Sequence, residues 1–131
     1  MTRRGIGTGL TAAAAVAFVA TAAIHATGYD SVTALAAEGP ADLATLVPAL
    51  WLAFSVDLAV IGLMLGVVAL RVAAGARLIL VLAALCPLGA AGLQMRFLGF
   101  IAPTAILLFV AALTLVAAGV RPAGGRQAPA P

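Results

Sequence analysis

Long apolar runs separated by short polar stretches dominate this chain. The runs cover residues 5–26, 45–70, 78–93 and 97–120. Each approaches or exceeds the ~20 residues an α-helix needs to cross ~30 Å of hydrocarbon. None shows the apolar/polar alternation of a barrel strand with a wet lumen, and lipid offers no partner for a free backbone N–H or C=O. The pattern predicts an all-α membrane protein, four transmembrane helices in an antiparallel bundle over residues 1–120.

The polar stretches carry local signals of their own. Between the first two runs, Asp30 or Ser31 is placed to cap a short helix through Ala37, Gly39 suits a left-handed stop, and Pro40 blocks continuation. Val32, Leu35 and Ala36 of that segment are suited to the membrane surface. Asp42 marks a second helix start, and Pro48 falls in the first turns, where its missing N–H costs least. Pro87 and Pro103 predict kinks in the third and fourth runs, each freeing a carbonyl one turn earlier. Residues 121–131, rich in Pro, Gly and Ala, read as a disordered cytoplasmic tail.

Composition agrees, since 65% of the residues are hydrophobic and 8% charged, with a mean hydropathy of +1.24. The four runs leave no room for a separate soluble domain. Charge then sets orientation. All basic residues are arginine, and with four crossings Arg3, Arg4, Arg71, Arg77, Arg121 and Arg126 share one side, leaving Arg96 opposite. The positive-inside rule puts both termini in the cytoplasm. The Ala, Gly and Arg bias points to a bacterial inner membrane. The start Thr2-Arg3-Arg4-Gly5-Ile6 also fits a signal peptide cleaved near Ala26, but its apolar region exceeds the usual ~7–15 residues, which favours an uncleaved first helix.

Polar groups inside the runs are few. Asp57 is the only intramembrane carboxylate, and such a group is a functional candidate by default. Counting ~1.5 Å per residue from the external ends puts Asp57, Cys86 and Thr104 at similar depth, a candidate polar pocket. There Asp57 is either a packing group, donating a hydrogen bond to Thr104 or a proline-freed carbonyl, or the proton- or cation-binding carboxylate of a small transporter. At the outer edge, His25, Trp51, Gln94 and Arg96 form a second candidate group. His25 offers a metal ligand, a haem ligand or a proton relay, Arg96 with Gln94 suits an anionic headgroup or quinone, and Trp51 and Tyr29 read as an interfacial aromatic belt.

Helix packing is expected along Ser55, Ala59, Gly62 and Gly66, a small-residue stripe with a G-x-x-x-G spacing that also suits a homodimer seam. Gly5 and Gly9 repeat the spacing. The single Cys86 permits no intrachain disulfide, the absence of Lys and Asn removes Schiff-base, Walker and N-glycosylation chemistry, and Ser31 and Ser55 lack a nucleophile-elbow context. No catalytic constellation, metal site or cofactor motif emerges, and nothing points to nucleic acid.

Small multidrug transporters and fluoride channels are comparable in helix count alone. Ile24-His25-Ala26 with Gly28, a loop ending in Pro48, then Trp51 and Ser55 resemble uncharacterised bacterial four-helix proteins of the DoxX-like kind. That resemblance covers the first half of the chain. It implies a membrane accessory subunit, in some members one associated with quinol- or sulfur-linked redox complexes. The expectation is an accessory or structural subunit partnered by the bilayer, a second copy or a larger membrane complex. The alternatives are a proton- or cation-coupled transporter using Asp57, and a haem- or quinone-associated redox subunit.

Overall fold

The computed structural model describes residues 2–71 and 75–121. Its helices are α1 (Arg3–Ala26), α2 (Tyr29–Ala37), α3 (Ala41–Leu70), α4 (Ala76–Phe97) and α5 (Ala102–Val120). Four of the helical segments are long and apolar enough to cross a membrane. Residues 122–131, read above as the greater part of a tail, lie outside the described residues.

Local chemistry explains most boundaries and corrects several expectations. Thr2 is extended and its hydroxyl accepts from Gly5 N at 3.3 Å, so α1 takes Arg3 and Arg4 into its first turn. Asp30 sits inside the first turn of α2, whose N-cap is Gly28 without a side-chain bond. Gly39 is not left-handed. Among the described residues only Gly75 and Gly99 have positive φ, at 85° and 77°. The extended Pro40 then starts α3.

The last connection is displaced from its expected position. α4 runs on through Arg96 to Phe97, and the turn falls at residues 98–101 around the left-handed Gly99. Pro103 lies in the first turn of α5. A first-turn N–H has no intrahelical acceptor to lose, so this proline starts a helix instead of kinking one. Pro87 does lie inside α4, where it is buried.

In space the long helices follow the order α3, α1, α5, α4. α1 packs on α3 and α5, α5 packs on α4, and α2 lies along α3. α3 and α4 barely meet. The core is built mainly from alanine and a few large side chains, with Ala14, Phe18, Leu58, Leu65, Leu80 and Val110 almost wholly enclosed. Small side chains let backbones approach closely, which is how helices associate where lipid removes the hydrophobic drive between them. Gly62 is the tightest such point. A Cβ there would stand 2.8 Å from Val19 Cγ2 and 3.0 Å from the Ala15 carbonyl oxygen. The stripe expected as a possible dimer seam is therefore filled, at Ser55 and Gly62, from within the chain.

Candidate functional site

His25 lies in the last turn of α1, and the last carbonyls of any helix need partners from outside it. Trp51, in the third turn of α3, supplies one. Its indole N–H donates to the His25 carbonyl oxygen at 2.8 Å. The indole also stacks on the imidazole, with centroids 3.9 Å apart and planes 17° off parallel. Phe54 meets the same ring edge-on at 5.1 Å and 74°. Gly28 makes the approach possible, because a Cβ there would lie 2.8 Å from Trp51 Cζ2.

One turn along α3, Ser55 completes the group. Its Oγ lies 2.8 Å from His25 Nδ1 and donates to the Trp51 carbonyl oxygen at 3.2 Å. A hydroxyl has one hydrogen. Both contacts are satisfied together only if Nδ1 carries the imidazole proton and donates to Ser55, a tautomer assigned from the network. In the neutral ring Nε2 is then left with its lone pair. It makes no hydrogen bond among the described residues, and the only buried side-chain N or O without a partner there is Thr33 Oγ1, so Nε2 reaches the surface. In that tautomer the arrangement presents a fixed imidazole whose outer nitrogen accepts a hydrogen bond or ligates a metal. Among the described residues no three His, Cys, Asp or Glu side chains gather to hold a metal ion.

Below Trp51 an apolar groove of about 380 Å³ runs between α2 and the start of α3. Val32, Leu35, Ala36, Gly39, Leu43, Val47 and Trp51 line it. Val32, Leu35 and Ala36, expected on the membrane surface, thus border α3.

The outer-edge group divides in two. His25 and Trp51 come together with Ser55, Phe54 and Gly28. Gln94 instead turns to α5, where its Oε1 accepts from the hydroxyl of the fully buried Thr104 at 2.9 Å. Arg96 is exposed, its guanidinium 5.5 Å from the Phe97 ring. No hydrogen bond joins the members of the intramembrane group. Thr104 is committed to Gln94, Cys86 is half-buried on α4, and Asp57 is exposed on α3 with no hydrogen bond or ion pair among the described residues. The expected bond from Asp57 to Thr104 is absent because α3 and α5 do not pack together.

The far end of α1 holds a contact that sequence reasoning missed. Arg121, grouped above with the tail, caps α5 and turns inward. Its Nε donates to Thr11 Oγ1 at 3.1 Å and its Nη2 to the Val68 carbonyl oxygen at 2.9 Å. Thr11 in turn donates to the Gly7 carbonyl oxygen at 2.7 Å. Gly7 makes room, since a Cβ there would stand 3.1 Å from Arg121 Cγ. Burial lowers the Arg121 pKa from its ordinary value, yet arginine keeps its charge in proteins. One cation thus ties α1, α3 and α5. The signal was the Gly7/Thr11 spacing one turn apart, facing the end of the last run.

No protein-family model, curated protein or solved structure matches the chain.

Proposed function

We propose that this protein is an accessory or structural subunit of a membrane assembly, an antiparallel four-span protein of a bacterial inner membrane with both termini cytoplasmic. One observation carries this reading: Asp57, midway along α3, is exposed and unpaired among the described residues. A carboxyl facing lipid at that depth is costly, and such groups face protein or a water-filled cavity instead. Lateral contact with a protein neighbour supplies the missing cover. A transporter reading needs Asp57 to line a path, whereas here it lies on the flank of α3 that α1 leaves uncovered.

The test is labelling by dicyclohexylcarbodiimide, a membrane-soluble reagent that adds to carboxyl groups open to lipid. Asp57 is expected to be protected in native membranes and modified once the chain is dispersed as a monomer in detergent. Equal modification in both settings overturns the subunit reading. A second reading, a redox-associated subunit, rests on the bare His25 Nε2. An absorbance spectrum of protein purified from native membranes tests it, because a bound haem absorbs strongly and His25→Ala removes the band.

A further inference from the structure

The side of α3 turned away from α1 carries a continuous exposed line with a carboxyl at its middle. Leu46, Leu50, Ala53, Asp57, Val60, Met64 and Val67 follow one another at steps of four and three, and all seven are exposed. Leu50, Val60 and Val67 are each more than half exposed. Alternating steps of four and three are the seam of a left-handed helix pair, the commonest packing in membrane bundles. At ~1.5 Å per residue the seam runs for ~32 Å, the depth of the hydrocarbon. Asp57 is its middle member. α1 packs on the opposite side of the helix, through Leu58, Gly62 and Leu65, and the α2 groove borders Leu43, Val47 and Trp51. Neither covers the seam.

We infer that the occupant of this seam is a second copy of the chain, in a two-fold dimer whose α3 helices run parallel and whose Asp57 side chains meet at the axis. This rests on the reading that Asp57 is covered by protein. Three observations favour self-association. Copies inserted with the same orientation can be related only by an axis along the membrane normal, which brings each seam position opposite its own equivalent. A carboxyl is the one side chain on this seam that complements itself, since a protonated acid donates to the carboxyl facing it and accepts in return. The chain's arginines all lie at or beyond the ends of its helices, so no basic group of its own competes for Asp57. A single polar residue in an apolar seam fixes register, and Asp57 stands where it would align the two helices over their full length.

The test uses full-length chain in native membranes, with the sole cysteine removed by Cys86→Ala and a new one placed by Ala53→Cys or Val60→Cys. Oxidation is expected to give a product of twice the chain mass at both seam positions, and none for Val116→Cys on α5, which is equally exposed. Asp57→Asn, still donor and acceptor, is expected to keep the product, whereas Asp57→Leu lowers its yield about 3- to 20-fold. Helical content by circular dichroism confirms that the variants fold. Seam cysteines that join only a different protein overturn self-association and leave the subunit reading standing. No product at either seam position also overturns it, and carbodiimide labelling of Asp57 in the same membranes then overturns both.

Discussion

Gly62 and Gly66 share a sequence motif but not an environment. At Gly62 the nearest neighbours of an added Cβ include the Ala15 carbonyl oxygen at 3.0 Å and Phe18 Cβ at 3.1 Å, atoms that cannot swing aside. Gly62→Ala should therefore destabilise the chain by about 1–3 kcal/mol through overpacking of α1 against α3. Around Gly66 nothing lies within 4 Å. Gly66→Ala should be neutral or gain up to about 1 kcal/mol from helix propensity. Reversible unfolding in mixed micelles, followed by circular dichroism, separates the two, and equal effects would show that the close approach is not where stability resides. Arg121 offers a second contrast. Lys keeps the charge but has no planar fork to reach Thr11 Oγ1 and the Val68 carbonyl together. Arg121→Lys should lose about 1–3 kcal/mol, close to the loss for Arg121→Ala, in the same assay.

Three elements meet at His25: the end of α1, the turn into α2, and the third and fourth turns of α3. If the Nδ1–H to Ser55 bond couples them, His25→Phe and Ser55→Ala should each cost about 1 kcal/mol and the double variant no more than either alone. A strictly additive double variant would show that the stacked rings hold the junction without it. The four membrane-length helices and the short helix between the first two were legible from apolar run length and from Gly39-Pro40, because lipid permits few alternatives. The joint between α4 and α5 was not. Arg96 reads as a turn residue when arginines are taken to mark hydrocarbon edges, but its side chain reaches water from within a helix, and Pro103 reads as a kink unless the helix start is known. His25, Gly28, Trp51 and Ser55 could be picked out as a set, while their contacts depend on how α1 lies across α3. The partners of Asp57, Cys86 and Thr104 failed for the same reason. Thr104 lies in the first turn of α5, not at the depth of Asp57 midway along α3, and the order α3, α1, α5, α4 keeps the two apart.

At the scale of the molecule that order leaves an incomplete ring, and the incompleteness is asymmetric. α1 and α5 are enclosed on two sides, whereas α3 and α4 each show long apolar flanks, with Leu63, Val60, Leu78 and Leu85 among the most exposed. With all four long helices crossing as proposed, the connection from Thr27 to Pro40 and that from Leu98 to Ile101 share one face of the bilayer. In the proposed topology the arginine distribution puts that face outside. With Cys86→Ala as background, Glu38→Cys and Phe100→Cys should both react with a membrane-impermeant maleimide in intact cells, and Thr2→Cys only after permeabilisation. Labelling of Thr2→Cys in intact cells would reverse the topology, and a split between positions 38 and 100 would mean that α3 and α4 do not both cross. The external assignment bears on chemistry as well as topology. It places the bare Nε2 of His25 and the apolar groove beneath Trp51 at the outer surface, and the Arg121 tie at the inner one. Under the proposed topology the end of the molecule with an open ligating atom is the one reached from outside the cell, and the end held by the half-buried Arg121 the one reached from within.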